Sequence, residues 1–151
     1  MAYVKDNGIA ENFFRRNGRL NRWRYFKRTA LLFVSEVMIL TFLAAFFEFT
    51  SLDGKISSGE EIFIKFIASI FIIPQFCLMV RRLQDLNKNE KLAYLYVAFQ
   101  IWAVVTLDFS DYNEPTLVEN LVGIIQFLLL LYTLLFVGTR GNNKYGEDPL
   151  A

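Results

Sequence analysis

Residues 29–49 read TALLFVSEVMILTFLAAFFEF, twenty-one residues from Thr29 to Phe49 with two ionisable side chains, Glu36 deep within them and Glu48 next to their far end. At about 1.5 Å per residue a helix of this length covers about 32 Å, close to the hydrocarbon thickness of a bilayer. A signal peptide is the competing reading, since basic residues precede the stretch and Ala44-Ala45 lies near its end. The 28-residue polar lead is long for that role, and bulky Phe46 and Phe47 stand where small residues would be needed for cleavage. The stretch therefore reads as a retained membrane anchor.

Three more stretches have this character: Ile62–Val80, Leu92–Phe109 and Leu121–Val137, with 19, 18 and 17 residues. The whole chain of 151 residues is 54% apolar and 17% aromatic, and its sixteen Phe and seven Tyr exceed what so small a soluble core can hide. The expected fold is all-α, an integral membrane four-helix bundle forming one domain over residues 1–151, with spans at about 29–49, 62–80, 92–109 and 121–137. Short connections make consecutive spans antiparallel neighbours, and Pro74 predicts a bend in the second. With no His the chain lacks a triad base, a His-ligated haem or metal, and the usual near-neutral proton shuttle. One cysteine, Cys77, excludes an intrachain disulfide and a thiolate zinc cluster, and in an apolar run it reads as packing. No enzyme activity, metal or other cofactor is expected.

Charge placement supplies an orientation. Eight Lys and Arg lie between Lys5 and Arg28, four more are Arg81, Arg82, Lys88 and Lys91, and two are Arg140 and Lys144, whereas the other two loops hold only Lys55. Fourteen against one is a strong positive-inside bias, so both termini are expected in the cytoplasm of a bacterial inner membrane. The expected outer loops are acidic, carrying Asp53, Glu60 and Glu61 in one and Asp111, Glu114 and Glu119 in the other.

Three segments on the basic side stand out. The first runs FFRRNGRLNRWRYFKR from Phe13 to Arg28, with a turn at Asn17-Gly18 and Asn21 placed as a helix N-cap. Its Arg19, Arg22 and Trp23 suit the headgroup layer, where tryptophan and each nearby cation favour an anionic leaflet. The segment serves either as a lipid-headgroup site or as anchoring and topology alone, and the bilayer explains the pattern without nucleic acid. The second segment is Arg81-Arg82-Leu83-Gln84-Asp85-Leu86, where Asp85 can pair with Arg81 or with arginines of the first segment. It is weighed as a structural ion pair against a ligand site. The third is Gly138-Thr139-Arg140-Gly141-Asn142-Asn143-Lys144-Tyr145-Gly146-Glu147-Asp148-Pro149, whose glycines and asparagines predict tight turns and a small folded cap rather than a loose tail. Elbow, central loop and tail are expected to form one cytoplasmic cap containing Arg81, Arg82, Asp85, Asn143 and Tyr145.

Taken together, in this order and around four apolar stretches, the three segments resemble the bacterial YhaH-like inner-membrane family, domain of unknown function 805, over about residues 13–150. The resemblance implies a small multi-pass inner-membrane protein and brings no activity or cofactor with it. The family pattern usually has His where this chain has Gln84, and Ser-Gly-Trp where it has Asn89-Glu90-Lys91.

Inside the spans, Glu36 is the residue to explain, because a charge in hydrocarbon costs at least about 2.5 kcal/mol and needs a partner. Seven residues into its stretch, it is expected to meet Arg81 or Arg82, or to be a protonated carboxyl; a cation site or proton carrier is the functional alternative. Gln75, Gln100 and Gln126 place one amide in each of three spans, suited to interhelical hydrogen bonds, and Lys65 can reach Glu61 one turn away. The function read from this pattern is a non-catalytic membrane protein that binds anionic lipid headgroups or a partner protein, with homo-oligomers possible in either role. The alternative is a subunit of a small oligomeric transporter or channel using Glu36.

Overall fold

A computed structural model describes residues 7–52, 54–106 and 116–148. They form five helices: α1 over Ile9–Phe13, α2 over Arg22–Thr50, α3 over Ser58–Asp85, α4 over Lys91–Thr106 and α5 over Leu117–Leu135. The molecule is all-helical, as expected, with no strand among the described residues beyond one isolated bridge, Asn143 to Gly146. Three helices, α2, α3 and α5, are long and apolar enough to cross a membrane, while α4 is a shorter apolar helix. The last part of the expected third span, residues 107–109, and the loop residues Asp53, Asp111 and Glu114 lie outside the described residues.

Helix starts follow from local chemistry. Asn21 caps α2, its side-chain oxygen accepting from the Arg24 amide at 2.9 Å, so the helix begins seven residues before the apolar stretch does. At the start of α3 the Ser57 amide donates to the Glu60 carboxylate at 2.7 Å. In α5 the Thr116 amide donates to Glu119 at 2.6 Å and the Glu119 amide donates back to the Thr116 hydroxyl at 3.3 Å. These are reciprocal caps of the Ser/Thr-x-x-Glu type. Glu60 and Glu119, assigned to loops from the sequence, thus sit in first helical turns, where a negative charge also suits the helix dipole. Helix α3 continues through Pro74, and the Glu61 to Lys65 ion pair forms on its first turns.

Contacts run from α2 to α3, α3 to α4, α4 to α5 and α5 back to α2, so the long helices surround a common interior, with α3 touching every other helix. The packed core, built from Leu20, Tyr25, Leu78, Met79, Val80, Leu83 and Ala93, lies toward the Asp85 end. Elsewhere the outward surface is apolar: Phe42 on α2, Phe66 on α3 and Phe127 on α5 are each about three-fifths exposed or more. Large apolar side chains outside and amides inside invert the usual arrangement in water, and fit a membrane location.

Candidate functional site

Two polar constellations occupy the bundle. The first is at the Asp85 end, where the chain is buried from Cys77 through the end of α3 to its C-cap Leu86 although this stretch contains two arginines, a glutamine and an aspartate. Arg82 is 0% exposed, Arg19 3% and Asp85 3%. Charges so far from water persist only when paired and hydrogen-bonded. Both arginines pair with Asp85: Arg19 Nε donates to Asp85 Oδ1 at 3.1 Å, and Arg82 Nη1 donates to Asp85 Oδ2. Their remaining N–H groups go to backbone carbonyls, Arg82 to Thr133 at 2.8 Å and also to Phe136, Arg19 to Thr139 and Gly141. One carboxylate and two planar forks thereby close the end of α5, whose final carbonyls have no helical partner.

The tail folds back on the same turn. Thr139 donates to the Asp85 carbonyl from its amide at 2.9 Å and from its hydroxyl at 3.0 Å. Asn143 Nδ2 donates to the Gln84 carbonyl at 3.0 Å, and the Tyr145 hydroxyl donates to the Lys88 carbonyl at 2.9 Å. From the N-terminal side, the Leu20 amide donates to the Arg81 carbonyl at 3.2 Å. The Gly18 amide donates to Gln84 Oε1 at 3.0 Å, from a turn in which Gly18 has φ of 99°. Gly138 is required for closeness: a Cβ there would lie 2.1 Å from Asp85 Oδ2 and 2.6 Å from Cγ.

The second constellation lies midway along the helices. Glu36, the middle residue of α2, accepts from Gln75 Nε2 at 2.7 Å. Gln75 Oε1 accepts from Gln100 Nε2 at 2.7 Å and from the Tyr96 hydroxyl at 3.3 Å. Gln100 Oε1 in turn accepts from Gln126 Nε2 at 3.2 Å. One polar side chain from each of α2, α3 and α5 and two from α4 therefore form a row. Its direction follows from the first bond, in which a Glu36 oxygen is the acceptor, so each amide presents its N–H toward Glu36 and its oxygen away. The row borders a cavity of about 500 Å³ whose other walls include Phe33, Val37, Leu40, Phe127 and Leu130.

This corrects the expected partner of Glu36. Because α2 starts at Arg22, Glu36 is fourteen residues along it, about 21 Å from its first residue by helical rise. Arg82 is meanwhile held by Asp85 and three carbonyls, and Arg81 donates to the Glu11 carbonyl at 3.2 Å. Among the described residues, no cation forms an ion pair with Glu36.

Residues 13–147 match the profile of a family described as "Protein of unknown function (DUF805)". The chain belongs to DUF805. No curated protein and no solved structure matches it.

In this DUF805 member the junction brings together five of the eight residues singled out on the basic face, Arg19, Arg82, Asp85, Asn143 and Tyr145, within one hydrogen-bonded unit. Arg81 contributes its backbone carbonyl to the junction while its side chain serves α1. Arg22 reaches the Leu135 carbonyl at 3.5 Å from an exposed position. Trp23 stays out, 61% exposed, stacked on Phe26 with the Lys27 ammonium 4.9 Å from its ring. Gln84, in the place where the family pattern has His, serves as an acceptor for the Gly18 amide, a role an imidazole nitrogen can also fill. Glu90, the other departure, pairs with Arg16 at 2.9 Å, and that bond raises the Arg16 pKa above its ordinary value. Sequence reasoning missed the Arg16 to Glu90 pair and helix α1. It named the amides of the row without their order.

Proposed function

We propose that this protein is a non-catalytic, multi-pass protein of the bacterial inner membrane, with both termini and the Asp85 end in the cytoplasm, that holds anionic lipid headgroups at that end. The observation carrying this reading is the division of labour among the cations. Arg19 and Arg82 are consumed by internal bonds, while Arg22, Trp23, Lys27, Arg140 and Lys144 remain exposed on the segments that flank the junction. Headgroup binding is thereby assigned to this rim, and the buried arginines are assigned to structure. Each rim cation contributes about 1 kcal/mol toward an anionic surface.

Protein purified in neutral detergent is expected to gain thermal stability from phosphatidylglycerol and much less from phosphatidylcholine. Arg22→Ala combined with Lys27→Ala should remove a large share of that difference. Equal stabilisation by the two lipids in the wild type would end the headgroup reading.

The orientation has its own test. In a Cys77→Ser background, a membrane-impermeant maleimide applied to spheroplasts should label Lys55→Cys and leave Lys144→Cys unlabelled until the membrane is opened. Labelling of both from one side is incompatible with the proposed topology.

One observation, the cavity facing Glu36, favours the transport alternative. Proton or cation flux in wild-type proteoliposomes that vanishes in a normally folded Glu36→Gln variant would replace the non-transport reading.

A further inference from the structure

We infer that the interhelical cavity is a binding site for a lipophilic organic monocation, its charge set against Glu36 and its apolar body against α2 and α5. Size and lining come first. A volume of about 500 Å³ is that of a small-molecule pocket, and its walls are mostly hydrocarbon and aromatic with a few polar groups converging on one side.

Charge selects the ligand class. Among the described residues Glu36 is the only carboxylate bordering the cavity and no Lys or Arg borders it, so a cation would gain a counter-charge there that an anion or a neutral ligand would not. Gln75 occupies Glu36 Oε2, and among the described residues Oε1 accepts no hydrogen bond, leaving it available to a ligand. Phe33, Phe127 and Tyr96 border the same space, and aromatic rings attract cations. A single carboxylate balances a single positive charge.

A metal ion fits poorly. The oxygens of Gln75 and Gln100 are already taken by neighbouring amides, and among the described residues no group of three or more metal-binding side chains exists. A hard cation needs about six oxygen ligands. An organic cation instead needs one counter-charge and apolar walls, which Val37, Leu40 and Leu130 supply at the middle of helices that are themselves apolar outside.

Equilibrium dialysis of the purified full chain in neutral detergent tests this with two probes, tetraphenylphosphonium and benzyltriethylammonium, and uncharged triphenylphosphine oxide as competitor. At least one cation should bind saturably, with one site per chain, and the uncharged compound should not displace it at equal concentration. Glu36→Gln keeps the shape and removes the charge, and should weaken binding by about tenfold or more. Gly123→Leu fills the cavity from α5, where an added Cβ meets nothing within 4 Å, and should weaken binding similarly while leaving Glu36 in place. Circular dichroism and elution volume certify that each variant is folded. Absence of saturable binding by both cations, wild-type affinity in either folded variant, or equal competition by triphenylphosphine oxide overturns the assignment. If a variant does not fold, the competition result with the wild-type protein decides.

Discussion

Asp85→Ala is expected to lower the stability of the detergent-solubilised protein by about 3–5 kcal/mol, the cost of removing one partner from a buried charge cluster. Two guanidinium groups, on Arg19 and Arg82, would stay beneath the tail with carbonyls around them and no negative charge. The end of α5 and residues 139–146 should therefore detach, becoming sensitive to trypsin at Arg140 and Lys144. Asp85→Asn retains an acceptor without the charge and should fall between alanine and wild type. An unchanged melting temperature in Asp85→Ala, with a protease-sensitive tail already present in the wild type, would falsify the lock.

Gly138→Ala should rank with it, by about 3 kcal/mol or more, although it adds only one methyl group. The new Cβ would fall 2.1 Å from Asp85 Oδ2. That carboxylate is the end of a short side chain held on one side by Arg19 and on the other by Arg82, so moving it aside breaks a pair. The two effects share one cause and should not add. In an Asp85→Ala background Gly138→Ala should cost much less than in the wild type, and a double-mutant cycle measures the difference. Full additivity would mean that Gly138 is needed for some reason other than closeness to Asp85.

What the sequence revealed depended on how local the signal was. Apolar length located α2, α3 and α5, and the Asn21 cap was readable because it bonds within three residues. Ser57-x-x-Glu60 and Thr116-x-x-Glu119 carried equally local signals, and attending to them would have moved both glutamates from loops into helices. Asp85 among arginines pointed to an ion pair and a fold-back contact, which Arg19 supplies, but the partner expected on α3 was Arg81, one turn back, whereas the structure pairs Asp85 with Arg82. The partner of Glu36 was misjudged because depth was measured from the first apolar residue, when the helix starts at Arg22 and carries Glu36 to its middle. The cavity was invisible for a different reason: a void is defined by how four helices lean together, and no single stretch encodes it.

The lock at Asp85 also imposes an order on assembly. Its partners come from residues 19–20, 82–85 and 133–143, so the carboxylate is synthesised well before the last of the carbonyls and amides that enclose it. Until the segment after α5 leaves the ribosome, Arg19 lacks the Thr139 and Gly141 carbonyls, and Arg82 lacks that of Phe136. Before then Asp85 and its two arginines have only part of their final set of partners. A nascent chain stopped before residue 139 should be degraded quickly even though every apolar helix is already in place.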